Sequence, residues 1–157
     1  MFRRSALALL LAAALPATAF PGPAWISIEL PANPWDRNTR GAFLVVHAYH
    51  HGTSISAPVT GIAEGVVAGR RRSIPLTFEP TGRTGAFSLR NQWGNEGRWV
   101  LVITVSQGGP DDIAQAVVQI AEGEVTGIQV PTRSAREGPI PRRVTQGEIE
   151  AALRSGD

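Results

Sequence analysis

Gly85-Ala86-Phe87-Ser88-Leu89-Arg90 and Trp99-Val100-Leu101-Val102-Ile103-Thr104-Val105 are the two runs on which the reading of the fold turns. From Ala86 to Arg90, apolar and polar side chains alternate with a period of two, as in a strand with one buried face. Residues 91–97 (Asn-Gln-Trp-Gly-Asn-Glu-Gly) then concentrate turn formers. The second run is rich in β-branched and aromatic side chains, the composition of a central strand.

Working outward, the same signals recur at fairly regular spacing. Further strands are expected over residues 25–30, 42–50, 59–67, 70–79, 113–121 and 125–130, each bounded by Gly, Pro, Asn or Asp. In residues 113–121, Ala114, Ala116, Val118 and Ile120 fall on one face and Gln115 and Gln119 on the other. Pro75 directs its strand toward a sheet edge, because proline has no N–H for the ladder. No helical run long enough for a parallel crossover separates these strands. The expected fold class is all-β, an antiparallel immunoglobulin-like β-sandwich of about seven to eight strands.

After Pro131 the periodicity stops. Residues 132–144 carry Arg133, Arg136, Arg142 and Arg143 with Pro139 and Pro141, and are expected to be an extended linker. Thr145-Gln146-Gly147-Glu148 has capping-box spacing, so a short helix is expected to begin there and run to about Arg154, with Ile149 and Leu153 on one face. It either docks on the sandwich or waits for a partner.

The opposite end carries an address. Arg3 and Arg4 precede an apolar run over residues 6–15, and Ala17-Thr18-Ala19 has the small-x-small form accepted by signal peptidase. That run is far short of the roughly 20 residues needed to span a bilayer. Residues 1–19 are therefore expected to be a cleaved secretory signal, residues 20–131 the sandwich, and residues 145–157 the helix and tail. The protein is expected to be exported, periplasmic or secreted, with no membrane span after cleavage. No cysteine is present, so neither a lipid thioether nor a disulfide is available.

All 15 basic residues are arginine, and two lie in the signal, leaving 13 against 13 acidic residues. A nearly neutral mature chain argues against nucleic acid as a partner and against general attraction to anionic membranes. The partner expected is an unidentified protein or envelope component.

The histidines His47, His50 and His51 lie within five residues. On a regular strand His47 and His51 share a face but stand about 13 Å apart. A bulge or strand end near His50 would bring His50 and His51 together, and Glu64 on the following strand would add an oxygen ligand. Such a set suits Cu(II) or Zn(II). The competing reading makes His47 and Tyr49 an ordinary solvent face.

Catalytic patterns are missing. No cysteine nucleophile or Gly-x-Ser-x-Gly elbow occurs, the adjacent Asp111 and Asp112 point apart, and the glycines of residues 61–69 lack a phosphate-binding pattern. The chain is expected not to be an enzyme and to need no cofactor beyond that metal. Arg70, Arg71 and Arg72 form the densest charge run, either a solvated turn or a surface for an anionic partner, although alternation prevents all three from sharing one face. Trp93 in its turn, with Trp35 and Trp25, is expected to be partly exposed and able to anchor a partner, whereas Trp99 is expected in the core.

The phrase Gly85-Ala86-Phe87-Ser88-Leu89 followed by Gly97-Arg98-Trp99-Val100-Leu101-Val102-Ile103 resembles the closing hairpin of bacterial periplasmic immunoglobulin-like domains of the YtkA-like and copper-resistance type. The resemblance spans about 25 residues and implies an exported accessory domain, in some members linked to copper handling. The chain departs from the Cu(I) pattern, because its only methionine is the initiator. What remains of the copper expectation is Cu(II) or Zn(II) at the histidines. The leading expectation is thus an exported, non-enzymatic binding or accessory module, with a metal-binding protein as the alternative and a minor hydrolase as a third.

Overall fold

Alternation of apolar side chains, repeated in strand after strand, produces two antiparallel sheets packed face to face. The computed structural model describes residues 22–109, 112–136 and 138–154, so the expected signal segment and Asp111 lie outside the described residues. In chain order the elements are β1 (Trp25–Glu29), β2 (Leu44–His50), β3 (Thr53–Ser54), β4 (Val59–Val67), β5 (Arg70–Pro75), β6 (Glu79–Pro80), β7 (Ala86–Leu89), β8 (Arg98–Ser106), β9 (Ile113–Ala121), β10 (Glu124–Gln129), β11 (Thr132–Ala135), β12 (Gly138–Pro141) and α1 (Gln146–Arg154). One sheet has the order β1-β2-β7-β6, with β3 paired to β2, and the other has the order β10-β9-β8-β4-β5.

The core lies between them. Ile26, Leu44, Val46, Ala48 and Leu89 from the first sheet meet Ala63, Trp99, Leu101, Ile103, Val105, Ala114, Ala116, Val118 and Ile120 from the second. These are the inward positions that the period of two selects, and β8 is the central strand of its sheet. The protein is an all-β antiparallel sandwich with one short C-terminal helix.

The helix lies on the outward face of the second sheet. Ile149 and Leu153 pack with Val100, Val102 and Val117, which point away from the main core. Its start is a reciprocal cap: the Glu148 amide donates to Thr145 Oγ1 at 3.2 Å, and the Thr145 amide donates to Glu148 Oε2 at 2.8 Å. Arg142 grips the same carboxylate with two nitrogens, at 2.9 and 2.6 Å. Gln115 joins the pieces, donating to Thr104 Oγ1 at 2.9 Å and accepting the Val144 amide at 2.7 Å. Of the two fates open to the helix, docking on its own domain is the one seen.

Two expectations need correction. The strand expected over residues 70–79 is divided: β5 ends at Pro75, and the chain crosses to the first sheet, where Glu79 pairs with Ser88. Leu76 and Phe78 make the crossing over Gly61, where a Cβ would stand 3.2 Å from each side chain. Residues 132–141, expected as linker, form the β11–β12 hairpin, with Thr132 opposite Pro141 and Ala135 opposite Gly138. A two-stranded ribbon leaves each strand a free side, so Pro139 and Pro141 sit there without breaking a ladder. Among the described residues no helix is long and apolar enough to cross a membrane.

Candidate functional site

β2 ends at His50, and His51 takes a left-handed φ of 47°, which breaks the alternation that would have sent the two rings to opposite faces. Their ring centroids stand 4.3 Å apart, nearly edge to face. Both reach the backbone of Gly22. His50 Nε2 donates to the Gly22 carbonyl at 2.9 Å, and the Gly22 amide donates to His51 Nε2 at 3.3 Å. A carbonyl only accepts and an amide only donates, so the two rings carry opposite tautomers at Nε2.

His47 and Glu64 do not join this pair. His47, opposite Ser27 on the outward face of the first sheet, bonds Glu29 at 2.8 Å. Arg83 lies 3.7 Å from the same carboxylate and 3.4 Å from Asp36. Burial acts to raise the pKa of Glu29. The bonds from His47 and the Asn33 amide, with the charges of His47 and Arg83, outweigh it and hold the carboxyl below its ordinary value. Glu64 belongs to the other sheet, where its carboxylate accepts from Arg71 at 3.2 Å and from Ser73 at 2.8 Å. Two of the four expected ligands therefore converge, and among the described residues no three His, Cys, Asp or Glu side chains gather as a metal set.

The arginine run is divided in the same way. Arg71 points to the helix side and pairs with both Glu64 and Glu150. Arg70 and Arg72 alternate to the other side of this edge strand. Trp93, expected as an exposed anchor, is only 6% exposed and stands edge-on to Phe43 with centroids 5.1 Å apart. The cause is Asn91, whose Oδ1 accepts the amides of Trp93 and Gly94 and folds the turn back on the sandwich.

Beside the histidine pair lies a groove of about 640 Å³, within the usual range for ligand sites. β1 forms one side through Trp25, Ile26 and Ser27, and Pro139 and Ile140 of β12 form the other, with Tyr49 and His51 also in the lining. Trp25, 37% exposed, sits directly opposite Tyr49 across the ladder. Among the described residues β1 is the end strand of its sheet, with one row of its backbone groups lacking a strand partner there. Ile140 is the residue that the linker expectation hides. Gly138, which opens the second of two four-residue runs, is the signal that could have revealed it.

Comparison with protein-family models, with curated proteins and with solved structures finds no match for this chain.

Proposed function

We propose that this protein is an exported, non-enzymatic immunoglobulin-like module, periplasmic or secreted, that holds an extended segment of an envelope protein partner in the groove beside β1. The observation that carries this is the meeting of an open sheet edge with an aromatic and aliphatic groove at one place. Backbone groups along β1 supply affinity without regard to sequence, and pockets at Trp25, Tyr49 and Ile140 select alternate side chains of the incoming strand. Proline in β12 favours an occupant from outside, because Pro139 and Pro141 have no N–H with which to close the gap themselves. The test is selection of extended peptides from a displayed library on the purified protein, followed by amide exchange. Slowed exchange in residues 25–29 supports the groove; slowed exchange confined to other strands removes it.

A second reading rests on the contact between His50 and His51. Two imidazoles are half of a four-ligand shell for Zn(II), and binding through both Nε2 atoms would require release from Gly22. Calorimetric titration with Cu(II) and Zn(II), beside a His50→Ala/His51→Ala variant, decides it. Stoichiometric micromolar binding that is lost in the variant makes the pair a metal site, and absence of heat in both leaves it as a clamp on Gly22.

A further inference from the structure

A second cavity, of about 450 Å³, opens between the β4–β5 hairpin and the turn before β8, and shares no residue with the groove. Val67, Ile74 and Trp99 supply its apolar wall, while Arg72, Asn95 and Glu96 supply its polar atoms. The turn is held in shape by Asn91, which bonds Asn95 Oδ1 at 2.8 Å, and by Trp99, whose indole donates to the Glu96 carbonyl at 3.0 Å. Trp93 also lines the cavity, and its buried indole N–H has no acceptor among the described residues. An unmet buried donor has a free-energy cost that a bound acceptor would relieve.

The charges show what kind of ligand fits. Arg72 and Glu96 both border the cavity, and neither side chain has an ion-pair or hydrogen-bond partner among the described residues, including each other. Arg71, by contrast, is paired on the opposite face, and the Asn91 turn is closed by its own hydrogen bonds. A cation and an anion that flank one apolar cavity without pairing are complementary to a molecule bearing both opposite charges. A guanidinium matches a carboxylate through paired N–H donors, and a carboxylate matches an ammonium.

We propose that this cavity binds a small zwitterion with an apolar body, an α-amino acid with an aliphatic or aromatic side chain. The ligand carboxylate meets Arg72, its ammonium meets Glu96, and its side chain lies against Val67, Ile74 and Trp99. The site would give the module a small-molecule input separate from its strand-binding groove.

L-leucine and L-phenylalanine are titrated into the purified protein, with calorimetry and tryptophan emission as readouts, beside N-acetyl-leucine and leucine amide, which each lack one charge. The zwitterions are expected to saturate at millimolar concentration or below, and each single-charge analogue to bind roughly tenfold more weakly, the size of one charged hydrogen bond. Arg72→Gln should remove the preference over leucine amide, and Glu96→Gln the preference over N-acetyl-leucine. Both positions are exposed, and unfolding midpoints equal to the parent's show that the fold is kept. No saturation by either amino acid, equal binding of all four compounds, or variants that discriminate as the parent does would overturn the proposal.

Discussion

The Trp99 indole lies flat against the bare backbone of Gly65, its direct partner across the β4–β8 ladder; a Cβ at residue 65 would stand 2.3 Å from the ring. Trp99 is 2% exposed, and its indole N–H is tied to the Glu96 carbonyl, so a shift of the ring costs that bond and its packing. Gly65→Ala is therefore expected to destabilise the protein by about 3 kcal/mol through overpacking, despite the gain in strand propensity. Urea unfolding checks this, and an unchanged midpoint would show that the ring moves aside at little cost.

The helix cap predicts a defined acid response. The Arg142 guanidinium, followed by the amide and hydroxyl of Thr145, lowers the Glu148 pKa from 4.5 to about 2. A carboxyl whose folded pKa lies below its unfolded value stabilises fully above the unfolded value and loses that contribution as pH falls toward the folded one. Glu150 is lowered as well, first by Arg71 and then by Gln146, and acts in the same direction. Amide protection in residues 146–154, taken relative to the intrinsic exchange rate at each pH, should fall between pH 4.5 and 2 while β8 stays protected. In Glu148→Gln the helix should already exchange faster at neutral pH and lose part of its acid dependence.

The small apolar contact beneath the helix sets its strength. Only Ile149 and Leu153 are buried from α1, against Val100, Val102 and Val117. Leu153→Ala should cost about 2 kcal/mol, the lower part of the range for a buried leucine. Because that contact is separate from the main core, tryptophan emission from Trp99 should be unchanged in the folded variant. A shift of that emission would mean that the helix and core are more tightly coupled than their packing indicates.

Strands are legible in this chain because one buried face imposes a period of two on the inward positions of β2, β8 and β9, although Val45, Val100, Val102 and Val117 add buried apolar side chains on the outward face. The capping box at Thr145 and Glu148 is legible for a related reason: both partners lie within one turn. What the alternation cannot carry is where a strand stops obeying it. His51 reverses the local geometry and joins His50, Pro75 ends a strand whose apolar pattern continues through Phe78, and Asn91 turns Trp93 inward. The groove is less legible still, since it joins β1 to a proline-bearing hairpin more than one hundred residues away in sequence, between Ser27 and Pro139. Long-range packing of this kind leaves only Gly138 as a local trace.

Trp25 should matter to binding and little to folding. It is partly exposed and faces away from the core residues Ile26 and Ile28. Trp25→Ala is expected to change stability by about 1 kcal/mol or less, as for surface positions, while truncating an aromatic anchor in the groove should weaken a bound strand by about 2 kcal/mol. Chemical unfolding and peptide titration on the same variant separate the two effects. Equal loss in both would make Trp25 a structural residue.

The most direct measurement is the affinity of peptides selected on the parent protein, compared among the parent, Trp25→Ala and Ile140→Asp. A strand held between β1 and β12 predicts that both variants, from opposite walls of the groove, weaken the same peptides by tenfold or more, a change of about 1.4 kcal/mol each, with unfolding midpoints near the parent's. Peptides that bind all three proteins alike would place the binding surface elsewhere and contradict the proposed function.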